Sequence, residues 1–171
     1  MPVLLADTKD IPALVTLVNS AYRGDASKEG WTTEAHLISG EVRTTPESLA
    51  ELLEQPGALF LKYEDENKQL EGSVFLQKKE NKLYLGMLSV SPRMQAKGIG
   101  KELLAAATEH ARKNNCTAIF MRVISARQEL IAWYERHGYY ATGEKEPFPS
   151  DDRFGRPLQP IEFAILEKQI Q

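Results

Sequence analysis

Two glycines and two lysines form the most chemically informative group in this sequence. Gly98 and Gly100 follow the apolar run 87–90, and Lys97 and Lys101 stand beside them. Glycine adopts backbone conformations that other residues avoid, so successive N–H groups here can point at one anion. A run of good helix formers begins at Gly100, and the N-terminus of a helix attracts negative charge. The segment is therefore predicted to bind a phosphate group.

Two common phosphate-binding loops do not fit this spacing. A Walker loop needs glycine at position 95 and serine or threonine at position 102, where the chain has Gln95 and Glu102. A dinucleotide fingerprint needs a third glycine three residues after Gly100, where Leu103 stands. The preceding strands also read as antiparallel, unlike those of a Rossmann unit. Neither a Walker nor a Rossmann site is expected.

The elements that must position this loop follow from hydrophobic periodicity and from capping residues. Thr8 is a candidate N-cap for a first helix, and Thr45 with Pro46 begins a second helix that stops by Gly57. A meander of three strands, a helix and a buried strand follow, then a helix closed by Gly138 and two last strands. The expected strands are 3–5, 58–63, 70–77, 83–90, 118–123, 139–143 and 161–166; the later helices are 100–114 and 128–137, and 22–43 is a long surface loop.

Two ordered motifs make the sequence resemble the GNAT acetyltransferases. The segment Gln95-Ala96-Lys97-Gly98-Ile99-Gly100 matches the family's Gln/Arg-x-x-Gly-x-Gly/Ala hallmark between the fourth strand and third helix. Residues 133–139, Trp-Tyr-Glu-Arg-His-Gly-Tyr, are similar to its aromatic-Tyr-Glu-Lys/Arg-x-Gly-aromatic signature. The resemblance implies a single α/β domain over 1–171 with the GNAT acyl-CoA N-acyltransferase fold. That fold is a mixed, mostly antiparallel sheet of about seven strands, splayed centrally, with helices on both faces.

The resemblance also implies an activity, the transfer of acetyl from acetyl-CoA to a primary amine by direct attack in a ternary complex. A main-chain N–H near Val90 would polarise the thioester carbonyl, and Tyr134 would assist the departing thiolate. Without the resemblance, Tyr134 would equally serve an ordinary apolar helix face. The implied cofactor-binding residues are Leu88, Ser89 and Val90 for the pantetheine arm, Gln95, Ala96, Lys97, Gly98, Ile99, Gly100 and Lys101 for the pyrophosphate, and Arg127.

Two positions depart from the family pattern. Met87 stands where many members carry a glutamate, so the general base is an open question. Arg127 stands where an asparagine often lies beside the cofactor arm, and an arginine there could reach a phosphate. An acceptor with an α-amine needs no base, because a pKa near 8 leaves an appreciable fraction neutral. Substitute bases can be sought in the loop 22–43, which holds Asp25, Glu34, His36 and Glu41.

The loop 22–43 also holds candidates for acceptor binding. Trp31 and Glu34 could line an acceptor pocket, or Trp31 could anchor the loop as a hydrophobic plug. His137, beside Gly138, is expected to act at a helix end and not in catalysis. The acceptor itself, a small molecule or a peptide amine, is not predicted.

Composition limits the class of protein. The chain has 171 residues, 42% hydrophobic and 26% charged, which is typical of one globular domain. A formal net charge of -3 argues against nucleic acid or an anionic membrane as partner. The single cysteine, Cys116, predicts no disulfide and no structural zinc or other metal site. The sequence shows neither a basic leader nor the long apolar run of a secretory signal, so a cytoplasmic location is expected.

Two alternatives from other classes stay open at this point. A non-catalytic acyl-CoA-binding or sensing domain is suggested by Met87. A nucleotide-binding module unrelated to CoA would also use a glycine turn before a helix. Whether the chain is a monomer or a homodimer is not predicted.

Overall fold

The architecture is a seven-stranded mixed sheet between two layers of helices. The computed structural model describes residues 3–23, 37–38, 43–95, 97–148, 157–158 and 161–170. Its strands are β1 Val3–Leu5, β2 Ala58–Glu64, β3 Leu70–Lys79, β4 Lys82–Val90, β5 Ala118–Ile124, β6 Tyr140–Pro147 and β7 Glu162–Gln169. Its α-helices are α1 Ile11–Tyr22, α2 Pro46–Leu53, α3 Ile99–Lys113 and α4 Gln128–Glu135, with short 3-10 helices at Thr8–Asp10 and Pro92–Met94.

The strands lie in the order β1-β2-β3-β4-β5-β7-β6. β2, β3 and β4 form an antiparallel meander, and β1 pairs antiparallel with β2 after the chain has passed through α1 and α2. The chain then crosses through α3 to β5, which pairs parallel to β4. β7 inserts between β5 and β6 with antiparallel pairing on both sides. The predicted α/β GNAT fold, with its mostly antiparallel sheet and helices on both faces, is confirmed.

β4 and β5 separate soon after they meet. Only Lys82 to Tyr84 pair with β5, opposite 118–120. Further along, β4 contains a bulge, because Ser73 pairs with Ser89 and Phe75 with Gly86. Two residues of β4 therefore oppose one residue of β3. The bulge and the separation leave an opening in the middle of the sheet.

The two faces of the sheet bury different helices. Leu14 of α1 and Leu49 of α2 pack with Phe60 and Phe75 on one face, and all four are at most 3% exposed. The opposite face buries a larger cluster that includes Leu103 of α3 and side chains of α4. Alternating residues of β3 serve both clusters, as expected for a strand covered on both sides.

Most of the predicted elements are confirmed, with adjusted ends. Thr45 caps α2 as predicted, its hydroxyl accepting from the Ser48 N–H at 3.2 Å, and Pro46 is the first helical residue. Gly57 follows α2 with a φ of 75°. β6 runs on to Pro147, past its predicted end at 143, because it pairs with β7 along that length.

The prediction that Thr8 caps the first helix is wrong. Asp7 caps the 3-10 helix Thr8–Asp10 that leads into α1, accepting from the Lys9 N–H at 2.8 Å, and Asp10 is the N-cap of α1 itself. Asp10 accepts from the Asp7 N–H in return at 2.9 Å, which completes a capping box. The loop predicted from residue 22 also begins later, because Tyr22 is the last residue of α1 and is buried.

Candidate active site

A cleft of about 530 Å³ opens where β4 leaves β5. Its floor is the end of β4, one wall is the turn and first residues of α3, and the other wall is α4. Tyr22 reaches it from α1 on the opposite face of the sheet. The lining residues are Tyr22, Leu88, Val90, Met94, Gln95, Gly98, Ile99, Gly100, Lys101, Glu129, Leu130, Trp133, Tyr134, Arg136 and His137.

The turn before α3 presents a helix N-terminus to the cleft. Gly98 caps α3 with a φ of 84°, a left-handed conformation that favours glycine. The first N–H groups of a helix have no acceptor within the helix, and the first intrahelical bond here runs from Glu102 to the Gly98 carbonyl. A Cβ at Gly98 would meet no atom within 4 Å, so the space over the turn is open. This end of the cleft can therefore hold an anion.

Gly100 allows α3 and α4 to approach each other closely at the cleft. A Cβ on Gly100 would lie 3.2 Å from the Trp133 ring, so a larger residue would displace that ring. The ring of His137 lies 4.4 Å from that of Trp133, centroid to centroid. Nδ1 of His137 is 2.8 Å from the Trp133 carbonyl and therefore donates to it. His137 thus bonds to a carbonyl in the last turn of α4, from just beyond the end of that helix, as expected of a residue at a helix end.

The backbone of β4 faces the opening with alternate residues. The Ser91 N–H donates to the carbonyl of Glu71 on β3 at 2.9 Å. Neighbouring residues of a strand direct their N–H and C=O groups to opposite sides, so those of Val90 point away from β3 and into the cleft. The Val90 carbonyl accepts from Nε2 of Gln95 at 3.0 Å. The Leu88 carbonyl accepts from the Tyr22 hydroxyl. The Val90 N–H is therefore a donor aimed at the interior of the cleft.

Tyr134 lies at the inner end of the cleft and is only 4% exposed. Burial, and then the neighbouring Tyr22 and Tyr139, raise its pKa well above 10, an effect that Arg127 partly opposes. The hydroxyl is therefore protonated at neutral pH and can donate a hydrogen bond. Its ring contacts those of Trp133 and Tyr139 edge to face, at 5.1 Å and 5.8 Å.

A second, smaller cavity of about 60 Å³ adjoins the cleft. It lies in the opening between 85–88 of β4 and 121–124 of β5. Three arginines line it, Arg43, Arg122 and Arg127, together with Tyr84. The two cavities share four lining residues and so meet at them: Tyr22, Leu88, Leu130 and Tyr134.

The structure gathers most, but not all, of the predicted site residues. Ser89 is fully buried, and its hydroxyl donates to the Met87 carbonyl at 3.0 Å. Lys97 is exposed and is not a lining residue. Arg127 lines the smaller cavity and not the cleft. The residues in the cleft are Leu88, Val90, Gln95, Gly98, Ile99, Gly100, Lys101 and Tyr134, while Ala96, Trp31, Glu34 and the suggested bases Asp25, His36 and Glu41 lie outside the described residues.

Tyr22 and Arg43 are site residues that the sequence does not single out. Tyr22 stands four residues after Val18 and eight after Leu14, so helical spacing is a signal that extends α1 to it. Arg43 has no such signal, because no periodic element contains it. Met87, where the family often has glutamate, packs its side chain against apolar neighbours and offers no proton acceptor.

The described residues form neither a metal site nor a membrane-spanning helix. Within the ranges given above, no group of three or more His, Cys, Asp or Glu side chains is placed to hold a metal ion. No helix in the same part of the chain combines the length and the apolar character that a bilayer crossing requires.

A helix N-terminus, a splayed pair of parallel strands and a buried tyrosine define the fold of an acyltransferase of the GNAT type. The family comparison agrees, since the model of the Acetyltransferase (GNAT) family matches residues 17–139. The chain belongs to the GNAT acetyltransferase family.

Similar proteins extend this result. The chain is 34% identical over 68 residues to an acetyltransferase of Agrobacterium fabrum, covering 40% of this chain and 48% of that protein. It is 28% identical over 87 residues to a spermine/spermidine N(1)-acetyltransferase of Bacillus subtilis, covering 50% of each. The chain thus spans about half the length of the relatives that it matches. The structure of yncA from Salmonella typhimurium with its cofactor acetyl-CoA has the same fold, with a TM-score of 0.70 at 16% identity over 99% of this chain and 93% of that chain.

Proposed function

We propose that this protein transfers the acetyl group of acetyl-CoA to a primary amine while both substrates are bound. The observation that carries the proposal is the pair of adjoining cavities that meet at Tyr134. One is long and begins at a helix N-terminus, as a phosphate-bearing cosubstrate requires. The other is small and polar and can receive the second substrate. A direct transfer needs both substrates on either side of one reacting centre.

The residues of the cleft fit the parts of acetyl-CoA. The pyrophosphate would lie against the N–H groups that begin α3 at Ile99 and Gly100, with Lys97 and Lys101 adding positive charge. The pantetheine arm would follow Leu88 to Val90, where the peptide groups of Val90 face the opening. Gln95 would act by holding the Val90 carbonyl, since its side chain is already bonded there at 3.0 Å.

Acetyl transfer then requires few side chains. The amine nitrogen attacks the thioester carbonyl carbon, the C–N bond forms, and the C–S bond breaks to release a thiolate. The N–H of Val90 would stabilise the negative charge that develops on the carbonyl oxygen. The proton lost by the amine balances the proton that the thiolate gains. Tyr134, protonated and buried, would donate its hydrogen bond to the leaving sulfur.

The amine must reach the centre in its neutral form. No carboxylate or imidazole of the described residues lines the smaller cavity, and Met87 cannot accept a proton. We therefore assign no general base, and the supply of neutral amine is set by its own pKa. A cytoplasmic location remains a prediction from composition.

Calorimetric titration with acetyl-CoA, CoA and ATP tests the cofactor site. Wild type should bind CoA and acetyl-CoA and not ATP, and a Gly98→Glu, Gly100→Glu variant should lose that binding because it places carboxylates against the phosphates. Ala105→Glu adds a carboxylate to the exposed side of α3 and serves as control. A folded wild type that binds no CoA would overturn the proposal.

A second candidate function, acyl-CoA binding without catalysis, is favoured by one observation, the apolar setting of Met87. It requires CoA binding without turnover. Release of free CoA thiol in the presence of any amine would exclude it.

A further inference from the structure

We propose that Tyr22 is a positioning residue for acetyl transfer. Its hydroxyl donates to the Leu88 carbonyl and so holds the Val90 N–H in the direction of the thioester carbonyl. The inference rests on the proposed function and adds a residue to it. Tyr22 would act through the backbone of β4, and not as an acid or a base.

The edge of β4 that faces the cleft has no neighbouring strand where the chemistry would occur. β4 pairs with β5 only over Lys82 to Tyr84, so the later peptide groups on that edge have no partner on β5. Leu88 and Val90 direct their groups to this edge, because Ser91 bonds back to β3 and alternate residues of a strand face the same side. Peptide groups on this edge therefore need support from side chains.

The bulge in β4 makes the same stretch depend on outside contacts. Met87 and Leu88 together oppose Val74 of β3. Met87 has a φ of 50°, in the left-handed region that residues other than glycine rarely adopt. Backbone of this kind persists only where the surrounding structure holds it. The Tyr22 hydroxyl provides one such contact, at the residue that follows Met87.

Tyr22 is itself held in place. It is the last residue of α1 and is 7% exposed, and α1 packs on the sheet through Leu14 and Val18, which are fully buried. The Cζ atom of Arg43 lies 5.1 Å from the centre of the Tyr22 ring, over its face. The bond to Leu88 joins residues that are 66 positions apart in the sequence. It thus ties the end of a packed helix to the backbone two residues before Val90.

A second side chain holds the other side of Val90. Nε2 of Gln95 donates to the Val90 carbonyl at 3.0 Å. The Leu88 and Val90 carbonyls are therefore each bonded to a side chain, and the Val90 N–H lies between them. A donor stabilises a developing oxyanion best when its direction is fixed before the reaction, because turning it during the reaction costs free energy. Tyr22 and Gln95 would provide that fixed direction.

The infrared band of the thioester carbonyl tests the inference without an acceptor. Acetyl-CoA that carries an isotope label at this carbonyl is bound at saturation. A hydrogen bond from the Val90 N–H polarises the carbonyl and should lower its frequency relative to free acetyl-CoA. Tyr22→Phe should lose most of that shift, with little change in the calorimetric Kd for acetyl-CoA. Where an amine supports turnover, kcat should fall about tenfold, the effect of one lost hydrogen bond, with KM for acetyl-CoA little changed.

Three further variants separate the hydroxyl from the packing of the ring. Tyr139→Phe removes a buried hydroxyl that lines neither cavity and should keep the full shift. In place of Tyr22, para-methylphenylalanine fills the volume of the hydroxyl but donates nothing, whereas para-aminophenylalanine donates an N–H. The para-amino variant should retain the shift and the para-methyl variant should lose it. Circular dichroism confirms that each variant folds, and this pair replaces Tyr22→Phe if that chain does not fold.

Failure of this inference and failure of acetyl transfer give different results. An equal shift in wild type and Tyr22→Phe would overturn the role of Tyr22 and leave acetyl transfer intact. Equal loss in the para-methyl and para-amino variants would assign the effect to packing and overturn the inference too. The same holds if bound acetyl-CoA shows no shift in wild type. A folded wild type that binds no acetyl-CoA would overturn both proposals.

Discussion

Tyr134 lies where the two cavities meet, and replacing it tests its part in the chemistry. Tyr134→Phe should lower kcat about a hundredfold, as is common when a donor to the leaving group is lost, with little change in KM for acetyl-CoA. Tyr139→Phe is the matched control, because Tyr139 contacts the same ring but lines neither cavity. Steady-state rates that are equal in wild type and Tyr134→Phe across pH would remove Tyr134 from the mechanism.

Tyr139 carries a buried hydroxyl that finds no hydrogen-bond partner among the described residues, and burial raises its pKa above that of a free tyrosine. Above about pH 10 the unfolded chain loses its tyrosine protons while the folded chain keeps those of Tyr139 and Tyr134. The unfolded state then binds fewer protons, so the free energy of unfolding must fall as pH rises.

Tyr139→Phe should therefore show a shallower loss of stability above about pH 10. At pH 7 the variant should be at least as stable as wild type, because an unsatisfied buried hydroxyl is removed. Urea unfolding at both pH values measures this. An equal or steeper loss in the variant would show that folding does not raise the pKa of Tyr139, and a less stable variant at pH 7 would show that its hydroxyl is satisfied in the folded protein.

The pH dependence of the rate reports where the amine loses its proton. With no base among the described residues that line the smaller cavity, kcat/KM should rise along one limb set by the acceptor amine and stay level up to about pH 10, because Tyr134 remains protonated. Two acceptors with different amine pKa values should give limbs displaced by that difference. A limb at the same pH for both would identify a titrating group of the enzyme.

Asn19 joins α1 to the segment that carries Arg43. Its amide donates to the Thr44 carbonyl at 3.1 Å and accepts from the Thr44 N–H at 3.0 Å. Asn19→Ala should lower the free energy of unfolding by about 1–3 kcal/mol, because the buried peptide groups of Thr44 lose their partners. Ser20→Ala, which removes a hydroxyl bonded only within α1, is the control, and urea unfolding measures both variants.

The elements that sequence reasoning predicted well are those decided by neighbours along the chain. Thr45 with Pro46 and the glycine turn at Gly98 each need a specific local residue, so few alternatives compete. Before the first α-helix the sequence indicated Thr8 as the cap, whereas Asp7 caps the 3-10 helix there, because Asp10, three residues later, completes a capping box with it.

The grouping of three arginines around the smaller cavity could not be predicted in this way. Its members stand at positions 43, 122 and 127 and are brought together only by the separation of β4 from β5. Arg122 also lies in a strand whose neighbours are buried, where a sequence pattern indicates core. The resemblance implied the splayed sheet. Which side chains line the opening between β4 and β5 is decided by pairings between segments that are distant in the sequence.

At the scale of the whole molecule, a cofactor that binds only the folded chain must stabilise it. Acetyl-CoA at a hundredfold excess over its Kd should add about 2.7 kcal/mol to the free energy of unfolding. For a domain of this size that raises Tm by roughly 5–10 °C. Lys101→Glu should reduce this shift, since the substitution reverses a charge beside the phosphates.

Lys113→Glu makes the same substitution at the far end of α3 and should keep the full shift. Each variant is compared with its own Tm in the absence of acetyl-CoA, so an effect on the free protein is subtracted. Equal shifts in both variants would show that the phosphates do not lie at the start of α3.

The short contact between β4 and β5 also has consequences for how the molecule assembles. β2, β3 and β4 are joined by short turns, whereas β5 reaches β4 only after the chain has crossed through α3. Pairings that close long connections form slowly, so this junction should be completed late in folding. Because only Lys82 to Tyr84 of β4 hold it, it should also open more readily than the ladders beside it. Faster amide exchange at the pairing of β4 with β5 than at the pairing of β5 with β7 would identify the proposed substrate-binding opening as the boundary between two cooperative folding units.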